Sequence, residues 1–263
     1  MSGVEQALGV LKSADVEVSA TGDGPPLVFL HGEDGLLFCE PFLTKLAEEF
    51  TVIAPSHPGW AGSERTERFR GLDDIAYLYL DVLDVLAAPA PLVGCSLGGW
   101  LALELATKSS RQISALTLVA PLGVRTGAPT ERHYLDRYAV AAEVLTGALY
   151  GSAGRGPDLA ALDDDQLFQL ARAQESTAYF TWEPYLHNPS LPDRLHRVGC
   201  PTLIVSGGRD GLILADNHVE TISSRLGGPV EKLTIPEAGH RVEEQAPEQL
   251  ATATVGFIRQ YAR

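Results

Sequence analysis

The sequence predicts an α/β protein: a mostly parallel central sheet flanked by helices. Three observations carry that expectation. Short, almost continuously apolar runs recur along the chain, the pattern of strands buried on both faces. Segments with apolar residues at helical spacing separate them, and strands alternating with helices build right-handed βαβ units. The chain has 263 residues, 45% hydrophobic and 21% charged, which excludes a largely disordered polypeptide and suffices for one large core.

The apolar runs lie at residues 26–31, 50–54, 91–95, 115–120, 202–206 and 230–235. The first is bounded by Gly22-Asp23-Gly24-Pro25 and Gly32, and the second ends at Pro55. Between them, Ile75, Leu78, Tyr79, Val82, Leu83 and Leu86 fall on one face of a helix, with Asp73 and Asp74 where carboxylates favour a helix N-terminus. Phe42, Leu43, Leu46 and Ala47 form a similar stripe, as do Leu250, Ala251, Phe257 and Ile258.

Residues 125–197 break the alternation. They show helical patterning, no convincing strand, and many aromatics, among them Tyr134, Tyr138, Tyr150, Phe168, Tyr179, Phe180, Trp182 and Tyr185. The expectation is a core of residues 1–124 and 198–263 with a helical cap, 125–197, inserted after the sixth strand. The aromatics then either pack the cap onto the body or line an apolar pocket, where Tyr138 and Trp182 would touch substrate.

Lys and Arg number 20 and Asp and Glu 34, a formal charge of −14, and no basic run interrupts it. Nucleic acid is therefore excluded as an expected partner. Cys39, Cys95 and Cys200 make neither a disulfide framework nor, with histidine, a zinc pattern, so no metal and no cofactor is expected. Residues 1–11 lack the pattern of a signal peptide, and no apolar stretch approaches the ~20 residues of a membrane span. The expectation is a soluble, cytoplasmic protein acting on a small molecule, away from membranes. The sequence carries no sign of an oligomeric state.

The strongest chemical signal is Gly94-Cys95-Ser96-Leu97-Gly98-Gly99, between a strand and the helix that starts near Trp100. Three common residues at fixed spacing mean little alone. The strand–turn–helix context gives them weight, because a serine at such a turn sits at a strained backbone angle while the glycines let strand and helix approach. A serine hydroxyl attacks a carbonyl only when a base accepts its proton, and an imidazole does this best when an acceptor fixes its tautomer.

With these parts the chain resembles the α/β-hydrolase family over nearly its whole length. His31-Gly32 follows an early strand, then come the Ser96 turn, a helical insertion, Asp210 and His240. It is most similar to the lid-bearing branch of esterases, carbon–carbon-bond hydrolases and epoxide hydrolases; Ser96 stands where the epoxide and haloalkane enzymes carry aspartate. The resemblance implies a triad of Ser96 as nucleophile, His240 as base and Asp210 as the acid orienting it, in the chain order of this fold. Asp216 is the nearest competitor of Asp210 and is better placed at the start of a helix. His31 and His57 read as structural, and His133 and His187 lie on the insertion, where they would be candidates for touching substrate. The resemblance further implies an oxyanion hole from the backbone N–H groups of Leu97 and Glu33. Only the backbone of Glu33 is needed, so its side chain is expected to point away, because an inward carboxylate opposes the developing oxyanion. Alternatively Glu33 and Asp34 recognise a cationic substrate group.

The expected activity is hydrolysis of an ester-like carbonyl substrate through an acyl-enzyme. Three alternatives stay open: cleavage of a carbon–carbon bond in a vinylogous diketone, acyl transfer to an alcohol or thiol, and a noncatalytic ligand-binding module. Members of the carbon–carbon branch often carry Trp directly after the histidine, where this chain has Arg241.

Overall fold

A computed structural model describes residues 1–125, 127–128, 130–151 and 156–261. Helix α1 (Gly3–Ser13) opens the chain. There follow β1 (Val18–Thr21), β2 (Pro26–Leu30), α2 (Glu40–Ala47), β3 (Thr51–Pro55), α3 (Leu72–Asp84), β4 (Ala90–Cys95), α4 (Leu97–Lys108) and β5 (Ile113–Val119). After α5 (Ala142–Tyr150), α6 (Asp164–Thr181) and α7 (Leu191–Arg194), the chain returns through β6 (Thr202–Gly207), α8 (His218–Ser223), β7 (Val230–Ile235), α9 (Val242–Gln245) and α10 (Pro247–Tyr261).

The seven strands form one sheet in the order β1-β3-β2-β4-β5-β6-β7. Only the β1–β3 pair is antiparallel. Two apolar layers cover its faces. Leu72, Ile75, Leu78, Tyr79, Val82 and Leu83 of α3 pack into one with Leu101 and Leu105 of α4. Phe42 and Leu46 of α2 pack into the other with Leu250, Phe257 and Ile258 of α10. The apolar stripes read from the sequence are the buried faces of these helices.

Strand order reverses beside β2: the chain goes from β2 to β3 on one side and to β4 on the other. In open α/β sheets that reversal leaves a crevice at the carboxyl ends of the strands, where ligands bind. Glu33 follows β2 and Ser96 follows β4, so both stand at its mouth.

Two N-terminal elements lack the apolar patterns by which the others show themselves. Ser2 accepts a hydrogen bond from the Glu5 amide while the Glu5 carboxylate accepts one from the Ser2 amide, a capping box that starts α1. Strand β1 is a mostly exposed edge strand. The insertion between β5 and β6 therefore follows the fifth strand, not the sixth, because among the described residues five strands precede it. Among the described residues of that insertion there is no strand; it holds α5, α6, α7, short 3-10 turns at Leu159–Ala161 and Leu195–Arg197, and single bridges such as Gly123 with His187.

Candidate active site

Ser96 sits between β4 and α4 with φ 50° and ψ −109°, a positive-φ conformation that non-glycine residues rarely hold. Its neighbours explain how the turn survives. A Cβ on Gly94 would lie 2.3 Å from the Gly98 carbonyl oxygen, and one on Gly98 would lie 2.0 Å from that of Leu30. Strand, turn and helix touch through backbone, so both positions exclude a side chain. The Ser96 amide donates to the Val119 carbonyl at 2.8 Å, and its carbonyl accepts from Trp100 and Leu122, each at 3.1 Å. As the first residue of α4, Leu97 carries one of the N-terminal amides that the helix itself leaves without a partner.

His240 lies between β7 and α9 and is 1% exposed. Its Nε2 is 2.6 Å from Ser96 Oγ, and its Nδ1 is 2.8 Å from Asp210 Oδ2. The other oxygen of Asp210 accepts from the amides of Leu212 at 2.9 Å and Ile213 at 3.1 Å, so the carboxylate is fixed before it meets the ring. Carboxylate, imidazole and hydroxyl thus form one hydrogen-bonded chain. Asp216 stands just ahead of Asn217, the residue that flanks the start of α8. Burial pushes the His240 pKa down, but the charge and hydrogen bond of Asp210, helped by the charge of Glu33, outweigh it and leave the pKa above 6.5.

His31 and His57 shape the β2 end of the crevice. The His57 amide donates to His31 Nε2 at 2.9 Å, so the His31 proton is on Nδ1, 2.6 Å from the Gly32 carbonyl. Burial lowers His31 to about 4, which keeps it neutral. His57 Nε2 lies 3.1 Å from the His31 carbonyl, and its Nδ1 is 2.5 Å from Tyr79 Oη. Both rings are structural, as the sequence suggested.

Glu33 departs from expectation. Its side chain does not point away: it is fully buried, and it faces Ser96 and His240. Arg137 Nη1 donates to Glu33 Oε1 at 3.2 Å and Arg241 Nη1 to Oε2 at 3.1 Å. Burial pushes the carboxyl up, but Arg241 and Arg137 pull it further down, well below the usual carboxylate range. Arg241 also bonds Asp34, and Gln174 of α6 donates to Asp34 at 2.9 Å. The acidic pair is therefore engaged inside the protein, which removes the reading that it waits for a cationic substrate. The Glu33 carbonyl accepts from Trp60 Nε1 at 2.8 Å and from Thr177 Oγ1 at 3.2 Å, so its backbone is pinned as well.

Residue Arg137 gave no local signal in the sequence; Arg241 had one, a cation next to His240 in a chain that must neutralise two carboxylates after β2. Tyr138 and Trp182 are not buried. They are 40% and 60% exposed, with ring centroids 6.1 Å apart. His133 is buried against His218, 2.9 Å away, and His187 bonds the Tyr185 carbonyl. Phe180 of α6 is buried and stacks on Trp60 at 5.6 Å. Among the described residues, no group of three or more His, Cys, Asp or Glu is disposed to hold a metal, and no helix is long and apolar enough to cross a membrane.

Fold and site together define an α/β hydrolase. The model of the alpha/beta hydrolase family matches residues 27–253, and the chain belongs to that family. It is 29% identical to a dihydrolipoyllysine-residue acetyltransferase component of the acetoin cleaving system of Pseudomonas putida, over 90% of this chain and 64% of that one, so it spans under two thirds of that relative's length. It is 27% identical to the pimeloyl-[acyl-carrier protein] methyl ester esterase of Stenotrophomonas maltophilia, over 92% of this chain and 96% of the other. Among solved structures, a hydrolase from Oleispira antarctica superposes with a TM-score of 0.75 at 17% identity, covering 96% of this chain and 97% of that one.

Proposed function

We propose that this protein is a serine hydrolase cleaving a small ester or related carbonyl substrate. The observation that carries the reading is the chain Asp210–His240–Ser96, ending on a hydroxyl held 2.6 Å from its base at a strained turn. Ser96 Oγ attacks the carbonyl carbon as its proton passes to His240 Nε2, and Asp210 stabilises the imidazolium. The oxyanion takes hydrogen bonds from the amides of Leu97 and Glu33. His240 returns the proton to the leaving group, an acyl-Ser96 forms, and water activated by the same imidazole clears it. No metal or cofactor takes part in this scheme. The ester-cleaving relative from S. maltophilia supports it across almost the whole chain.

Ser96 is 2% exposed, so substrate enters when the segment over it moves, and residues 125–197 act as that cap. Three reduced, buried cysteines suit a cytoplasmic enzyme. Acyl transfer uses the same intermediate and finds support in the acetyltransferase relative from P. putida.

A fluorophosphonate probe tests the reading: one adduct, located on Ser96 by peptide mass spectrometry, is expected. A panel of p-nitrophenyl esters of graded chain length, run beside a vinylogous diketone and a thiol acceptor, then sorts hydrolysis from its alternatives. Absence of an adduct, with no turnover across the panel, would show that the chain uses its pocket only to bind.

A further inference from the structure

Asp210 and His240 stand on separate loops, and the hydrogen-bonded chain through them depends on how those loops are held in register. One link between the loops is direct: the Arg209 amide donates to the Ala238 carbonyl at 2.8 Å, on the N-terminal side of both residues. On the C-terminal side the link runs through α5, an element of the insertion. The Gly211 amide, next after Asp210, donates to the Ala148 carbonyl at 2.9 Å, and the Arg241 amide, next after His240, donates to the Leu149 carbonyl at 3.1 Å. Gln245 of α9 adds a third bond, from its Nε2 to the Tyr150 carbonyl at 2.9 Å. Its Oε1 accepts at 2.7 Å from the amide of Gly239, the residue before His240.

The last four carbonyls of a helix have no partner inside it, and helices commonly satisfy some of them by turning the next residue into the left-handed helical region. Gly151, the residue after α5, has ψ 159°, far from the value of about 47° in that region. The donors come from the catalytic loops instead, and the loops make room for the helix end. A Cβ on Gly211 would lie 2.9 Å from Ala148 Cα, and one on Gly239 would lie 2.5 Å from the Leu149 carbonyl oxygen. Neither glycine has a positive φ, so the close approach of α5, not backbone conformation, requires it. A glycine thus adjoins each member of the acid–base pair where the α5 backbone comes in.

We propose that Gln245 is a positioning residue for His240 and that the end of α5 is its anchor, so that this part of the insertion belongs to the frame that sets the Asp210–His240–Ser96 geometry. This rests on the serine-hydrolase reading. A glutamine suits the place because its side-chain amide donates and accepts at once. Only one orientation serves: Oε1 toward the Gly239 amide, which can only donate, and Nε2 toward the Tyr150 carbonyl, which can only accept. With the Arg241 amide on Leu149, the backbone amides on both sides of His240 are tied to one helix end, and the Gly211 amide ties the acid loop to the same turn.

The consequence is geometric. The His240 ring must keep Nδ1 2.8 Å from Asp210 and Nε2 2.6 Å from Ser96 at the same time. Loss of the Gln245 link frees the residue before the histidine while the Arg241 amide still holds the residue after it. A misplacement of 1 Å can cost about 10²-fold in rate, and a loop released on one side only should lose roughly tenfold.

The experiment is the rate constant for fluorophosphonate labelling of Ser96 on the alkaline plateau of its pH profile, which requires no knowledge of the substrate. Gln245→Met keeps the length of the side chain and removes both bonds; at a temperature where the variant is fully folded, its plateau should fall roughly tenfold. Thr51→Val is the control for lost stability. It removes the bond from Thr51 Oγ1 to the Gly24 carbonyl, 2.6 Å, at the amino ends of the strands, and should label at the wild-type rate. A wild-type plateau in Gln245→Met, or an equal fall in Thr51→Val, overturns the proposal. Should Gln245→Met not fold, amide hydrogen exchange in the wild type decides. The amides of Gly211, Gly239 and Arg241 should open with the same free energy as those at the end of α5, and a lower value for the three overturns the proposal. Failure of the serine-hydrolase reading looks different, since the wild type would then form no Ser96 adduct.

Discussion

The loops at the carboxyl ends of β4, β6 and β7 and the segment between β5 and β6 reach the same crevice by different physics. The first set is fixed by backbone. Ser96 holds φ 50°, Gly98 has no room for a Cβ, and two amides grip Asp210. The second is fixed by side chains reaching across it: Arg137 to Glu33, Gln174 to Asp34, Phe180 against Trp60. Backbone-built geometry is local and leaves its mark in residue spacing. Side-chain-built geometry depends on partners distant in sequence. The contrast predicts that damage to the first region abolishes chemistry or folding, whereas damage to the second depends on whether the residue faces in or out.

Ser96→Ala should produce the largest effect. Loss of the nucleophile lowers kcat by about 10⁴-fold or more, while Tm should barely change, because the hydroxyl packs against no apolar group. A variant with half the wild-type turnover on the best ester of the panel would remove Ser96 from the mechanism.

Gly98→Ala tests the backbone side of the comparison through stability. The new Cβ would lie 2.0 Å from the Leu30 carbonyl oxygen, which belongs to a central strand and has nowhere to go. A loss on the order of 4 kcal/mol is expected, at the high end for single substitutions. Urea denaturation measures it, and a midpoint equal to wild type would mean that the turn is not held by this contact.

Within the insertion the comparison sharpens between a charged position that faces in and an aromatic one that faces out. Arg137→Ala removes one of the two buried cations on Glu33 and leaves Arg241 alone to pair it, a loss on the order of 3 kcal/mol. Trp182→Ala removes a side chain that is 60% exposed, and a change within about 0.5 kcal/mol is expected. Equal losses at the two positions would show that the outer aromatic surface is covered by something in solution.

The same distinction explains what the sequence disclosed. The five inner strands announce themselves as apolar runs because both their faces are largely buried; β1, a mostly exposed edge strand, does not. Asp210 and His240 follow strands in an order set by topology, so their place in the chain found them. The inward orientation of Glu33 is not legible locally, for a physical reason. Taken alone, a carboxylate beside an oxyanion is unfavourable, and the two cations that reverse that balance lie 104 and 208 residues further along the chain. Tyr138 and Trp182 have the chemistry of pocket residues, but aromatic type does not tell which face of a helical segment a ring will take.

The last expected effect appears only as pH changes and concerns the far side of Arg241. Glu243 and Glu244 of α9 lie 3.9 Å and 3.8 Å from its guanidinium, and Tyr150 donates to Glu244 at 2.7 Å. Burial pushes Glu244 up to about 8, against the pull of Arg241 and with help from the charge of Glu243. At neutral pH Glu244 then carries its proton. A carboxyl whose folded pKa exceeds its ordinary value of 4.5 contributes stability that is fully present below 4.5 and is lost as pH rises toward 8, because only the folded state still binds the proton in that window. Glu244→Gln imitates the protonated form, keeps an acceptor for Tyr150 and does not titrate. Its melting temperature should match wild type near pH 5 and exceed it increasingly up to pH 8. Melting curves that stay parallel from pH 5 to pH 9 would mean that Glu244 is ionised throughout, and that Arg241 serves α9 as much as it serves Glu33.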